Sequence, residues 1–197
     1  MILYLHGFRS SPLSHKATLM QEALRKRGYE ERWRCPSLPA SPRQALELAN
    51  SIIAGAEADQ GLVPERELVV VGSSLGGYYA GCLAWRWGCP AVLLNPVIHA
   101  ARDLATQVGR HTLYHSDEVF VFLQAHVEEL AAMAVPRPRD PRRYYLLAAK
   151  GDEVLDWREM AEWYAGAQGH ILEGGDHGLS DFERWLPEVL DFALTPA

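Results

Sequence analysis

The residue with the clearest potential for chemistry is Ser74, in the run Gly-Ser-Ser-Leu-Gly at positions 72–76. This G-x-S-x-G pattern follows the apolar residues 69–71 and precedes a segment of helical period, which is the strand–turn–helix setting of a nucleophile elbow. Glycine is needed two positions either side of the serine because larger residues would clash in so tight a turn. The hydroxyl is then exposed at a helix N-terminus, where the dipole favours developing negative charge. The pattern predicts Ser74 as a nucleophile.

A serine hydroxyl needs a general base and a carboxylate that orients the base. In proteins built on such an elbow, the acid and then the histidine follow the serine, each on a loop after a later strand. Asp152 comes directly after the apolar run Tyr144–Ala149 and a glycine. Asp156 is instead typical of a helix N-cap, and Glu153 is expected to face solvent. Asp152 is therefore the favoured acid.

The histidine is expected after the last strand, and His177 lies there in a glycine-rich loop at positions 174–178. Asp176 precedes it, but adjacent side chains diverge. We therefore expect Asp176 to stabilise the loop and His177 to be the base.

A fourth element is the run Leu-His-Gly-Phe at positions 5–8, at the end of the first strand. A His-Gly step there is typical of an oxyanion loop, whose backbone N–H faces the reacting carbonyl. The N–H groups of Phe8 and Leu75 are the expected donors. His6 is expected to hold the loop rather than act as a second base.

These residues must be positioned by a sheet. Short apolar runs without polar alternation are typical of strands covered on both faces, and helical segments separate them. The runs are Ile2–Leu5, residues 68–71, Ala91–Leu94, Tyr144–Ala149 and residues 171–172, with a weaker candidate at 29–34. Alternating strands and helices predict an α/β fold with a doubly wound, mostly parallel sheet of about six strands and helices on both faces.

Residues 97–140 interrupt this alternation with no strand signal. Phe120, Leu123, Val127 and Leu130 lie along one helical face, and the proline-rich run 136–141 cannot continue a helix. This predicts a small helical lid inserted into a single domain spanning 1–197. His126 lies on this helix and is expected to border the substrate pocket.

Composition limits the classes of partner. The 197 residues carry a net charge of −6, which argues against nucleic acid as the main ligand. No apolar run is long enough to span a membrane. The first residues lack a basic leader and form the first predicted strand, and the three cysteines contain no CxxC pair. A reduced, cytoplasmic protein is expected.

Histidines 111 and 115 are spaced i, i+4 in the insertion but lack the glutamate of an H-E-x-x-H site, so no metal is expected. Arginines 137, 139, 142 and 143 follow the insertion. They are either a solvated connector or a patch that attracts an acidic substrate such as a CoA phosphate; the connector is the commoner case.

The chain resembles the YqiA-like family of small bacterial esterases in the α/β-hydrolase superfamily. The matching stretches span residues 4 to 182, and Gly-Asp-Glu-Val-Leu-Asp at 151–156 is the most family-specific. The resemblance implies a minimal α/β-hydrolase fold, with Ser74, Asp152 and His177 as a catalytic triad. It also implies hydrolysis of short-chain carboxylic esters without a cofactor.

The chain departs from the family pattern at Arg9, where asparagine is expected, and at Asp176. Because Arg9 adjoins the oxyanion loop, we expect it, with His6, Gly7 and His126, to affect substrate binding. The alternatives are an acyl-CoA thioesterase or acyltransferase using the same triad, and a non-catalytic binding module. The substrate is a small acyl ester or thioester in each enzymatic case, and the oligomeric state is open.

Overall fold

The computed structural model describes residues 1–114 and 116–195, which contain eight strands. These are β1 (Ile2–Leu5), β2 (Trp33–Arg34), β3 (Val69–Ser73), β4 (Ala91–Leu94), β5 (Gly109–Thr112), β6 (Val119–Phe122), β7 (Tyr144–Ala149) and β8 (Gln168–Leu172). Six of them form one parallel sheet in the spatial order β2-β1-β3-β4-β7-β8, while β5 and β6 form an antiparallel hairpin.

Helices cover both faces of the sheet. The helices are α1 (His15–Lys26), α2 (Pro42–Gln60), α3 (Pro64–Glu67), α4 (Leu75–Trp87), α5 (Ala100–Leu104), α6 (Gln124–Ala132), α7 (Trp157–Trp163) and α8 (Phe182–Leu194). One apolar layer joins the sheet to α1 and α8, and the other joins it to α2, α4, α6 and α7. The predicted α/β architecture of about six parallel strands, flanked on both faces, is confirmed.

The strands form where the sequence has apolar runs because both faces of the sheet are covered. Every residue of β1, β3, β4 and β7 is buried, which explains the missing polar alternation. At the start of α2, the Ser41 hydroxyl accepts a hydrogen bond from the Gln44 N–H at 3.2 Å, as predicted for this cap.

The pattern Ser-x-x-Glu at positions 180–183 predicts a last helix with Ser180 as its N-cap, and this prediction is wrong by one residue. The N-cap of α8 is Asp181, not Ser180. The Ser180 hydroxyl instead donates a hydrogen bond to the Asp176 carboxylate. Because this contact lies in the histidine loop, Ser180 ties that loop rather than capping the helix.

The order of the strands determines where a ligand can bind. From β1 the chain first adds β2 on one side and then returns to place β3 on the other side. In parallel sheets, such a reversal leaves a crevice at the carboxyl ends of the strands. The loops after β1 and β3, which carry Phe8 and Ser74, flank that crevice.

The insertion between β4 and β7 is not purely helical, contrary to the prediction. It consists of α5, the β5–β6 hairpin and α6. Phe120 lies in β6, and Leu123 is the N-cap of α6, so the two do not share a helical face. The run 119–122 is Val-Phe-Val-Phe, and such β-branched and aromatic residues favour strands. The apolar residues at 120, 123, 127 and 130 are three or four positions apart, which is the spacing of one helical face. A strand ends and a helix begins among them, so the spacing arose by chance.

Of the helices in the described ranges, none has the length and apolar character needed to cross a membrane.

Candidate active site

The turn that carries Ser74 is strained, and its flanking glycines are sterically required. Ser74 has φ 57° and ψ −122°, directly before α4. A Cβ on Gly72 would lie 2.0 Å from the Gly76 carbonyl oxygen, and one on Gly76 would lie 1.9 Å from that of Leu5. Neither position therefore accepts a side chain, which is the steric argument for the G-x-S-x-G pattern.

Ser74, His177 and Asp152 form a continuous chain of hydrogen bonds. His177 Nε2 lies 3.0 Å from Ser74 Oγ, and His177 Nδ1 lies 2.8 Å from Asp152 Oδ2. A carboxylate only accepts hydrogen bonds, so the neutral imidazole carries its proton on Nδ1, which donates to Asp152. Its Nε2 then accepts the hydrogen bond of the Ser74 hydroxyl. Asp152 has 0% side-chain exposure and His177 has 22%. The three side chains expected to act together are thus brought together.

The Asp152 carboxylate is fixed by backbone donors as well as by the histidine. Its Oδ1 accepts hydrogen bonds from the N–H groups of Val154 and Leu155, both at 2.8 Å. Asp156 instead caps α7, where it accepts from the Arg158 N–H at 2.9 Å. Of the two aspartates considered, only Asp152 contacts the histidine.

The loop that carries His177 is tied by its acidic neighbours. Glu153 is exposed, as expected, and its carboxylate also accepts a hydrogen bond from the His177 backbone N–H at 3.0 Å. Asp176 accepts from the Ser180 N–H and hydroxyl, and these bonds lower the pKa of its carboxyl. Asp176 therefore stabilises the loop, as expected for it.

Asn95 connects the acid strand to the histidine loop, and sequence reasoning did not single it out for this role. Its side chain is buried at the end of β4, and its Nδ2 donates to the carbonyls of Asp176 (3.0 Å) and His177 (3.1 Å). Its Oδ1 accepts from the Ala149 N–H at 2.8 Å. The backbone has φ 42°, a left-handed conformation that asparagine tolerates well. The signal available was its place in the family-matching pair Asn95-Pro96.

The two expected oxyanion donors face the same cavity as Ser74. Phe8 and Leu75 both line this cavity, which has a volume of about 460 Å³. Within residues 1–114 and 116–195, neither backbone N–H has a protein acceptor. The Leu75 N–H also belongs to the first turn of α4, where the helix dipole is positive. Both groups are available to stabilise a negatively charged oxygen.

The Phe8 ring is held by the β5–β6 hairpin. It packs edge-to-face on His111 at 5.5 Å between ring centroids, and on Phe120 and Phe122 at 5.1 Å each. The hairpin thus contacts the oxyanion loop directly, in addition to the cavity wall that Tyr114 forms.

Arg9 fastens the hairpin to the oxyanion loop and does not line the cavity. Its Nε donates to the Thr112 carbonyl at 2.8 Å, and its guanidinium stacks 4.7 Å from the Tyr114 ring centroid. The Tyr114 N–H donates back to the Arg9 carbonyl at 2.9 Å. The expectation that Arg9 affects substrate binding therefore stays a prediction, since Arg9 holds the loop and the hairpin beside the cavity. Its backbone φ of 57° and these contacts make it part of the scaffold.

The two histidines expected near substrate are also structural, whereas Gly7 lines the cavity. His6 is buried, and its Nε2 accepts from the Leu38 N–H at 3.0 Å. His126 is buried at the start of α6, where its Nδ1 accepts from the Leu123 N–H at 3.2 Å. Neither His6 nor His126 lines the cavity beside Ser74, and their expected effect on substrate binding stays a prediction.

Other candidate groups are placed away from the cavity. Arg137 pairs with Glu162, Arg142 pairs with Asp140, and Arg139 stacks on Trp85. These contacts match the connector interpretation rather than a phosphate-binding patch.

No metal-binding cluster of three or more His, Cys, Asp or Glu side chains occurs in the part of the chain that the structure describes. His115, one half of the histidine pair considered for a metal, lies outside the described residues.

The three cysteines are free thiols with little nucleophilic character. Burial raises the pKa of Cys35, Cys82 and Cys89 to about 12 in each case. At neutral pH the thiolate, which is the reactive form, is therefore scarce.

The chain is similar to one protein family and to several solved hydrolases. A model of an uncharacterised protein family, UPF0227, matches residues 1–194. Est1E from Butyrivibrio proteoclasticus, solved with ferulic acid bound, has a TM-score of 0.65 at 11% identity, with 98% of this chain and 88% of that chain covered. A putative α/β-superfamily hydrolase from Xanthomonas campestris pv. campestris has a TM-score of 0.59 at 19% identity, with 96% and 97% covered.

The esterase Pf2001 from Pyrococcus furiosus has a TM-score of 0.62 at 15% identity, with 97% of this chain and 80% of that chain covered. At these identities the likeness establishes a shared fold. The fold of this chain is thus that of the α/β hydrolases, as expected.

Proposed function

The chain belongs to the UPF0227 (YqiA) family, and from this premise we propose that it is a serine hydrolase that cleaves short-chain carboxylic esters. The observation that carries the proposal is the hydrogen-bonded chain from Ser74 through His177 to the buried carboxylate of Asp152. The fold it shares with solved esterases and the cavity of about 460 Å³ in front of Ser74 support a small acyl substrate.

The first half of the proposed reaction forms an acyl-enzyme. Ser74 Oγ attacks the ester carbonyl carbon while its proton passes to His177 Nε2. Asp152 stabilises the resulting imidazolium through the 2.8 Å bond to Nδ1. The imidazolium then gives the proton to the leaving alkoxide oxygen, so the alcohol departs neutral and the acyl group stays on Ser74.

The second half restores the enzyme. A water molecule gives a proton to His177 while its oxygen attacks the acyl carbon. The bond from that carbon to Ser74 Oγ then breaks, the histidine returns the proton to Ser74 Oγ, and the carboxylic acid leaves. In both halves the carbonyl oxygen becomes an oxyanion that the Phe8 and Leu75 N–H groups can stabilise; one such donor contributes about 3 kcal/mol in related sites. No cofactor enters the proposed cycle.

The complete set of groups favours an enzyme over a binding module on the same scaffold. A module without catalysis has no need for a strained serine at φ 57°, a buried carboxylate and two free N–H donors in one cavity.

A fluorophosphonate probe tests the proposal directly. The wild-type protein should be labelled at Ser74, whereas Ser74→Ala should show no labelling and at least a thousandfold lower turnover of a short-chain aryl ester. Ser51→Ala is a matched control, since Ser51 is exposed on α2, where its hydroxyl bonds only to the Glu47 carbonyl of its own helix. Equal labelling of wild type and Ser74→Ala would contradict the assignment, as would a folded wild type that hydrolyses no ester.

A further inference from the structure

One cation faces the proposed catalytic cavity, and it belongs to Lys16 on the first turn of α1. Lys16 lines the same cavity as Ser74 and His177, and its Nζ donates a hydrogen bond to the Gly178 carbonyl. The side chain is half-buried. An ammonium group has three donors, so this single backbone bond leaves two of them for another acceptor.

Lys16 differs from the other two lysines of the chain in its charge partners. Lys26 pairs with Glu22, and Lys150 pairs with Glu173, both on the surface. Among the described residues, no carboxylate oxygen lies within 4.0 Å of Lys16 Nζ. Removing a cation from water without an ion pair costs free energy, and binding of an anion offsets that cost.

The nearby acids are already engaged elsewhere. Asp152 is bonded to His177, and Asp176 is bonded to Ser180. Asp103 also lines the cavity, but its carboxylate accepts from Arg102 Nε at 2.7 Å. None of these carboxylates therefore forms an ion pair with the Lys16 ammonium, although Asp176 and Asp152 attract it from a greater distance.

Two features beside Lys16 also favour binding of an anion. The first turn of α1 contains no acidic residue, so its dipole is not offset there. The hydroxyl-bearing residues Ser10 and Ser14 line the same cavity, and hydroxyls can donate to an anion's oxygens.

The position of Lys16 relates it to one half of the substrate. It contacts Gly178, which directly follows His177. His177 Nε2 is the group that hands a proton to the departing oxygen, so the alcohol half of an ester must lie beside this loop. An anionic group on the alcohol half of the ester would therefore lie in the same cavity as the Lys16 ammonium.

We propose that Lys16 is a specificity residue that binds an anionic group, a carboxylate or a phosphate, on the alcohol half of the ester. The inference rests on the proposed hydrolase function and names the class of ester that this site takes. Lys16 forms no bond with the reacting atoms and transfers no proton.

A pair of esters that differ in one charge tests this. 4-Acetoxybenzoate carries a carboxylate, and methyl 4-acetoxybenzoate is its neutral counterpart. 4-Acetoxyphenyl phosphate carries a phosphate in place of the carboxylate. In all three compounds the acetyl ester is the bond to be cleaved. We expect Lys16→Met to lower the anionic-to-neutral ratio of kcat/KM about tenfold or more, as expected for loss of a charge-assisted hydrogen bond. Lys16→Arg should keep most of the ratio. The anionic ester whose kcat/KM ratio to the neutral ester falls more, the carboxylate or the phosphate, identifies the preferred anion.

Lys26→Met, which removes a surface charge from the same helix, is the matched control and should leave the ratio unchanged. An equal fall for both esters in Lys16→Met would overturn the proposal, because it would mean that Lys16 only holds the Gly178 carbonyl. An unchanged ratio would also overturn it.

The pH dependence gives a second readout. Burial lowers the Lys16 pKa to about 8, and Asp176 and Asp152 oppose this shift. The ammonium is charged below that pH, so the wild-type ratio should fall between pH 7 and pH 9, whereas Lys16→Met should show no such fall. The other titratable groups lining the cavity are Tyr4, Asp103, Tyr114 and His177, and they are also present in Lys16→Met, so the difference between the two proteins isolates the effect of Lys16.

A binding measurement separates failure of this inference from failure of the proposed function. Calorimetric titration of Ser74→Ala with para-hydroxybenzoate and with para-hydroxyphenyl phosphate should show binding of at least one anion that the Ser74→Ala, Lys16→Met double variant loses. Lack of ester turnover alongside Lys16-dependent binding would reject the hydrolase but keep the anion site. Absence of binding by either anion, or binding that is equal in both variants, would reject the anion site.

Discussion

At the scale of single residues, Asn95 shows how one side chain can determine the geometry of others. Its amide satisfies two carbonyls of the histidine loop and one N–H of the acid strand. The bond to the Ala149 N–H is buried and the two others are partly buried, and a buried group left without a partner costs about 1–3 kcal/mol. The alignment of His177 with Asp152 thus depends on a residue that touches neither side chain.

Replacing Asn95 by alanine should therefore reduce both stability and rate. We expect a loss of about 3–5 kcal/mol in the free energy of unfolding, since three hydrogen bonds disappear and alanine tolerates the left-handed φ less well. The kcat for an ester should fall by at least tenfold with little change in KM. Urea titration and steady-state kinetics measure the two effects.

Asn50→Ala is a suitable comparison, since Asn50 accepts one hydrogen bond from Trp87 at 2.8 Å, away from the cavity. It should lose about 1 kcal/mol and keep full activity. If Asn95→Ala behaved in the same way as Asn50→Ala, the role given to Asn95 would be wrong.

The sequence predicts the three members of the Ser74 chain because each follows an apolar strand, in an order that few topologies share. It does not predict the partners of His6, Arg9 and His126, all polar residues near the right loops. His6 and Arg9 bond to backbone groups remote in sequence, at Leu38 and Thr112, and a sequence does not show which loops meet. His126 bonds to the nearby Leu123 N–H, and that bond depends on where α6 begins.

At the scale of elements, the β5–β6 hairpin has a structural role beyond forming a wall. Its rings hold Phe8, and Arg9 joins its Thr112 end to the oxyanion loop. Because Phe8 contributes an N–H to the site, the placement of that donor depends on the packing of the hairpin.

Phe120→Ala should lower kcat with little effect on KM. Phe120 does not line the cavity, but its ring lies 5.1 Å from that of Phe8. Aromatic pairs contribute about 0.5–1.5 kcal/mol, so removal should slow the reaction about three- to tenfold. Steady-state kinetics on a neutral short-chain ester measures both constants.

Val119→Ala alters the neighbouring residue, which is 49% exposed, and it should leave kcat unchanged. A purely higher KM in Phe120→Ala would show that the hairpin serves binding rather than donor placement.

The hairpin is also the element that sequence analysis missed, whereas the six strands of the sheet were located. The sheet strands are buried on both faces and therefore stand out as apolar runs. Strand β5 is Gly-Arg-His-Thr, with half its residues exposed, and its pairing with β6 depends on contacts across a six-residue connection. Strand β5 therefore leaves little periodic signal, and the apolar run of β6 was assigned to the helix that follows it.

At the scale of the whole molecule, stability is concentrated in the sheet. Two apolar layers enclose β1, β3, β4 and β7 completely, whereas the insertion lies over the carboxyl end with many exposed residues. The rigid part holds the serine and the acid strand, and the less buried part forms the wall of the cavity.

Native-state hydrogen exchange should show this division. Amides of β3 and β4 should exchange only through global unfolding, and those of β5 and β6 should exchange at least about a hundredfold faster, because local opening exposes little apolar surface. Mass spectrometry of peptides covering residues 69–73 and 109–122 measures the difference. Equal protection of both segments would mean that the hairpin unfolds together with the sheet.

The contact between Phe8 and the hairpin has a consequence for how such a protein can change over generations. Residues that shape the cavity wall and residues that set the oxyanion donor belong to one short segment, joined by the rings of His111, Phe120 and Phe122. A mutation that widens the cavity by reshaping this segment also displaces the donor. Adaptation to a larger substrate therefore meets less resistance at Val154 and Leu155, which line the cavity but lie outside this segment.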